Sequence, residues 1–187
     1  MRVIAVDLEL NQPSTKIIQI GAICFRPESG EVIETFNQLV NPQELIFPEI
    51  VSLTGIRDDA VAQMPTIPKA AQKLRSFKER LQISPIGIVW GAGLTNDIRK
   101  IFDDAEIETP FASRIIDVKG VFQMLANASG SKMRQRVGLG KACEVLRIGW
   151  DSRFGEQHHA LADAYNTMRV YLFLSKCLRD GVEIRLG

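Results

Sequence analysis

Asp7 and Glu9 stand two residues apart in the opening run Met-Arg-Val-Ile-Ala-Val-Asp-Leu-Glu-Leu. On a β-strand that spacing sends both side chains out of one face, where they can converge on a hard cation. Two carboxylates ending an otherwise apolar strand suffer desolvation and mutual repulsion unless a divalent ion or solvent offsets both. A strand that simply emerges into water at Asp7 accounts for the pair equally well. Asp97 opens a helical pattern just after a predicted strand, where a carboxylate suits both the helix N-terminus and a metal at the sheet edge. It also reads as an ordinary first-turn acid. Asp163 lies close to the apolar stripe Leu161, Ala164, Met168 and Leu172 of a C-terminal helix. His158 precedes it by five residues, which on a continuous helix places the two about 140° apart. His158 therefore belongs in the loop before the helix, where the chain can bring its ring back towards the carboxylates. By itself, a histidine beside another histidine in a glycine-containing loop reads as solvent-exposed.

The elements that must position these residues can be read from periodicity. Residues 2–10 alternate Val3, Ala5, Asp7, Glu9 on one face and Ile4, Val6, Leu8, Leu10 on the other, so both faces start apolar, as a covered central strand requires. A β run from Lys16 to Phe25, the turn cluster Arg26-Pro-Glu-Ser-Gly30 and a third run from Glu31 to Val40 predict an antiparallel hairpin. Thr66 is placed to cap a helix carrying Ile67, Ala70, Ala71, Leu74, Phe77 and Leu81. Ile86 to Trp90 reads as a strand, followed by a loop and a helix beginning near Asn96-Asp97. The unit repeats with a strand at 114–117 and a helix through Val118, Val121, Phe122 and Leu125. Two more helices are expected over 139–148 and about 160–179, the latter ending at Asp180-Gly181. Five strands, three antiparallel and then two in strand–helix units, predict an α/β fold: a mixed five-stranded sheet with helices on both faces.

Composition narrows the class. A length of 187 residues with 45% hydrophobic content suits one domain with its own core. No apolar run approaches a membrane span, and Asp7 and Glu9 interrupt what would be a signal core, so a cytoplasmic protein without a membrane partner is expected. Cys24, Cys143 and Cys177 are far apart, which suggests buried reduced thiols. A net charge of +1 gives no global footprint for nucleic acid.

Taken together, the ordered acids and histidine resemble the signature of the DEDDh exonucleases: Asp-x-Glu near the N-terminus, an Asp after a middle strand, and His-x₄-Asp near the C-terminus. That family includes proofreading subunits of DNA polymerases, oligoribonucleases, ribonuclease T and small-RNA-trimming enzymes. The matching residues are Asp7-Leu-Glu9, Asp97 and His158-His-Ala-Leu-Ala-Asp163. Ile17-Ile-Gln-Ile-Gly-Ala22 is similar to the family's second strand, Leu53-Thr-Gly-Ile56 to its post-hairpin helix signal, and Gly138-Leu-Gly-Lys141 with the following residues to the helix before the last motif. Two departures stand out. Leu10-Asn-Gln-Pro13 replaces the small residues that follow the first motif in many relatives. Ala92-Gly-Leu-Thr-Asn96 lengthens the loop before Asp97, which the motif still favours over Asp103 and Asp104.

The resemblance implies a ribonuclease H-like fold over residues 1–187 as a single domain, acting as a metal-dependent 3′→5′ exonuclease. Its partner would be single-stranded nucleic acid with a free 3′ end, and its products nucleoside 5′-monophosphates. Asp7, Glu9, Asp97 and Asp163 would hold two Mg²⁺ or Mn²⁺ ions, and His158 would serve as general base. Trp90-Gly91 leans towards the RNA-trimming relatives. Lys132, Arg134, Arg136 and Lys141 could meet phosphates, although solvated basic residues are the commoner case. Phe25, Phe47 and Trp90 could stack on bases, although core packing suits each better. Two rivals are an endonuclease of the same fold, which would not need His158, and an inactive nucleic-acid-binding or scaffold relative, which would be expected to have lost an acid. His159 is expected to project away from the site.

Overall fold

A computed structural model describes residues 1–91, 114–128 and 137–181. Strands β1 (Val3–Asn11), β2 (Lys16–Phe25) and β3 (Val32–Leu39) open the chain, followed by helices α1 (Pro48–Thr54), α2 (Asp58–Val61) and α3 (Ile67–Arg80). Strands β4 (Ile86–Val89) and β5 (Arg114–Asp117) come next, then α4 (Val118–Ala128), α5 (Leu139–Val145) and α6 (Ala160–Asp180). The expected five-stranded mixed sheet is present, in the order β3-β2-β1-β4-β5. β1 pairs antiparallel with β2 and parallel with β4, and β2 pairs antiparallel with β3.

β1 is central because both of its faces are apolar. Val3 and Ala5 pack with Phe122, Leu161, Ala164 and Met168 in one core, while Ile4, Val6 and Leu8 pack with Ala70, Leu74 and Phe77 of α3 in the other. Helices thus cover both faces, α4, α5 and α6 on one side and α3 on the other. Burying side chains such as Leu74 and Phe122 contributes about 1.5–3 kcal/mol each by area. The turn after β2 closes where expected, with the Gly30 N–H donating to the Arg26 carbonyl at 2.8 Å and Gly30 itself at φ 72°.

Three local expectations change. Thr66 occupies the N-cap of α3, but its side chain makes no capping bond. A proline in the first turn starts that helix instead, its fixed φ suiting the position and its missing N–H costing nothing there. α5 stops at Val145 rather than reaching 148, because the chain leaves the helical region at Arg147 (φ 56°) and Gly149 (φ 63°). α6 carries more than a stripe: Ala160, Leu161, Ala162, Ala164, Tyr165, Asn166, Thr167 and Met168 are all buried, whereas Leu172 is only partly so. Its first half lies inside the molecule, and Gly181 ends it at φ 64°. Among the described residues, no helix is long and apolar enough to cross a membrane.

Candidate active site

Asp7 and Glu9 lie on the α6 face of β1, continuing the row begun by Val3 and Ala5. Their Cα partners on β2 are Gly21 and Gln19 respectively, and direct partners in an antiparallel pair share a face. A Cβ on Gly21 would sit 2.1 Å from the carbonyl carbon of Ala160 and 2.2 Å from the nitrogen of Leu161. The first turn of α6 therefore rests directly on the strand, and only glycine admits it. That contact delivers Asp163 to the acids of β1. Asp7, Glu9 and Asp163 each offer a carboxylate oxygen within 4.8 Å of the other two.

Gln19, 1% exposed, holds the same junction by hydrogen bonds. Its Oε1 accepts the Ala160 N–H at 3.1 Å, its Nε2 donates to Asn37 Oδ1 at 2.9 Å, and the same nitrogen lies 3.0 Å from His159 Nε2. His159, the N-cap of α6, is thus turned onto Gln19 of β2 and is not part of the carboxylate cluster. Burial holds its imidazole below the ordinary histidine value, a backbone hydrogen bond acting weakly the other way. Neither Gln19 nor Gly21 is singled out by periodicity. The available signals were a glutamine inside an apolar strand and a glycine at its centre.

The electrostatics of the three acids follow from their closeness. Burial raises Glu9 from its ordinary 4.5 to about 8, with the charge of Asp163 adding to it. Burial also lifts Asp7 well above the usual carboxylate range, reinforced by Asp163 and then Glu9. Asp163 is raised by burial, and a hydrogen bond from the His158 backbone pulls back the other way. Among the described residues its Oδ1 is buried without a partner. A buried, unsatisfied carboxylate oxygen among two further carboxylates is a donor set that a hard divalent cation satisfies and that none of the described residues does. The residues fit such an ion.

His158 sits in the loop before α6, as the motif spacing requires, and is exposed with φ 64°. Its ring stands outside the carboxylate cluster. Asp97 lies outside the described residues, as do Asp103, Asp104, Lys132, Arg134 and Arg136. Lys141 pairs with Glu144 at 2.8 Å on an exposed face. Phe25 is fully buried and Trp90 packs on Phe122 with ring centroids 6.0 Å apart, so both are core residues. Phe47 is 40% exposed. In the stretch that departs from the family, Asn11 is buried and ties the end of β1 to the next loop: it accepts the Phe47 N–H at 2.9 Å and donates to Glu44 Oε1 at 2.7 Å and to the Leu45 carbonyl at 3.0 Å.

The exonuclease family model RNase_T matches residues 4–171, a span that takes in all but the first residue of β1, the Gln19–Gly21 junction and the His158–Asp163 motif. The chain belongs to this exonuclease family. It is 23% identical over 183 residues to a human protein described as 3′-5′ exoribonuclease 1, matching 92% of this chain but spanning only about half (49%) of that protein's length. Among solved structures, it resembles the nuclease domain of 3′hExo, a DEDDh family member bound to rAMP, with a TM-score of 0.77 and 21% identity over 100% of this chain and 96% of the other. It also resembles cell-death related nuclease 4, with a TM-score of 0.80 and 15% identity over 100% of this chain and 66% of the other. These likenesses agree with a ribonuclease H-like fold. The family uses divalent metals, in keeping with the acid cluster.

Proposed function

We propose that residues 1–187 form one domain that removes nucleotides from the free 3′ end of single-stranded nucleic acid, RNA in preference to DNA, releasing nucleoside 5′-monophosphates. The observation that carries this reading is the convergence of Asp7, Glu9 and Asp163 within 4.8 Å in a chain of the exonuclease family. The preference for RNA is supported by the match to the exoribonuclease across most of the chain, and a cytoplasmic location suits its free cysteines.

Asp7, Glu9 and Asp163, joined by Asp97, would hold two Mg²⁺ or Mn²⁺ ions. When bound, such ions make water a nucleophile near neutral pH and offset charge on the attacking and leaving oxygens. The protein's own part is to fix that donor set on a rigid strand and a buried helix turn, and to take up a proton. His158, on the exposed loop that leads into α6, accepts the proton of the attacking water at an imidazole nitrogen.

The test is to incubate 5′-labelled RNA and DNA of one sequence with the protein and Mn²⁺ and compare the ladders. The reading expects stepwise shortening from the 3′ end, faster for RNA, and sparing of a strand whose 3′ end carries a phosphate. Cleavage of a circular single strand would support an endonuclease instead.

A further inference from the structure

We propose that Gln19 and His159 act as one positioning clip that sets the backbone of residues 158–160, and through it the place of His158 in the loop before α6; the role of His158 in this rests on the exonuclease reading above.

The side chain of Gln19 has two N–H donors and one oxygen, and its neighbours use all three. The oxygen accepts the Ala160 N–H at 3.1 Å, so the nitrogen faces Asn37 Oδ1 at 2.9 Å and His159 Nε2 at 3.0 Å. One N–H goes to Asn37. The other meets His159, whose Nε2 must then be the bare, accepting nitrogen, with the ring proton on Nδ1. Gln19 thereby grips the 159–160 peptide from both sides, by the ring before it and by the N–H after it. The His159 carbonyl in turn accepts the Asp163 N–H at 2.9 Å, so the clip is continuous with the first turn of the helix that carries the third acid.

Two consequences follow for the neighbouring histidine. His158 has φ 64°, a left-handed conformation that residues other than glycine adopt seldom and keep only where their surroundings impose it. The clip is that imposition: it fixes the residue after His158. With its Nε2 on Gln19 and its Nδ1 buried with no partner among the described residues, the ring of His159 is committed to the clip, whereas His158 is the exposed histidine of the pair. Gln19 and His159 are positioning residues, acting through it.

The test combines kinetics with a spectrum of the full chain. Gln19→Met keeps the volume of the side chain and removes its hydrogen bonds, and should lower kcat by about 10- to 100-fold, the range a displaced catalytic group costs. KM should stay within about twofold, since the substrate contacts are untouched. His159→Ala, at a partly exposed position, should do the same, and the double variant should be no slower than the slower single, as expected for two halves of one device. In ¹⁵N-histidine spectra of the wild type, His159 should show a bare Nε2 and a protonated Nδ1. A protonated Nε2, an undiminished kcat in either single variant, or losses that multiply in the double would overturn the clip. A wild type that hydrolyses no single strand would overturn the exonuclease reading and the positioning role together, whereas an active wild type with an equally active Gln19→Met overturns the clip alone. Should Gln19→Met fail to fold, His159→Ala and the wild-type spectrum decide.

Discussion

Asp7 and Gly21 face each other across β1 and β2, and the space that Gly21 leaves open is filled by the backbone of α6 at Ala160 and Leu161. The acid and the glycine form one arrangement, since Asp163 reaches Asp7 only because the helix lies on the strand at that point. Gly21→Ala should force α6 outward and cost at least the 1–3 kcal/mol or so typical of overpacking, with Mn²⁺ affinity falling as Asp163 withdraws. Denaturant midpoints and a Mn²⁺ titration check both. A Gly21→Ala protein with wild-type stability and metal affinity would contradict the packing described.

The raised acids predict an unusual pH dependence for the metal-free protein. A carboxyl whose folded-state value is above its unfolded one favours the protonated folded chain, so its contribution is intact below the unfolded value and is lost as pH rises through the folded one. For Glu9 that window runs from 4.5 to about 8, with Asp7 and Asp163 acting in the same direction. In chelator, Tm should therefore fall from about pH 5 to about pH 8, and added Mg²⁺ should raise it more at the upper end. A Tm that climbs across this interval in chelator would argue against the close approach of the three acids.

Asp97 is the proposed fourth acid of the site. Asp97→Asn should remove most activity and weaken cation binding, while Asp103→Asn and Asp104→Asn behave nearly as wild type. Full activity in Asp97→Asn, with loss in either of the others, would move the motif to a different register.

His158→Ala should leave oligonucleotide and Mn²⁺ binding in place while turnover falls by about 10²–10⁴-fold, the contribution of general-base catalysis. Turnover in His158→Ala that matches the wild type would take the proton-accepting role away from this residue.

Much of this arrangement is legible in the sequence, for a physical reason. The alternation of Val3 to Glu9 states which residues share a face, because side-chain direction in a strand depends only on parity. The spacing of His158 and Asp163 excludes a common helical face and so places His158 in the loop. What parity and period do not carry is contact between distant segments. Gly21 against Ala160, Gln19 against His159 and Asn11 against Phe47 join residues far apart in the chain, and each is set by how helix, strand and loop settle on one another. The same limit explains His159, whose neighbours in sequence suggest solvent and whose neighbours in space are on β2. Thr66 shows the opposite error: a good capping residue at the right place forms no capping bond because the following proline already suits the helix start.

The central claim, that the carboxylates of β1 and α6 form a cation site at which a 3′ end is hydrolysed, is tested most directly by following hydrolysis of a 5′-labelled single strand with a free 3′-hydroxyl across a chelator titration. The account predicts that hydrolysis stops in excess chelator, returns with Mg²⁺ or Mn²⁺ and is absent at every cation concentration in Asp163→Asn. Hydrolysis that continues in excess chelator, or that survives intact in Asp163→Asn, would contradict it.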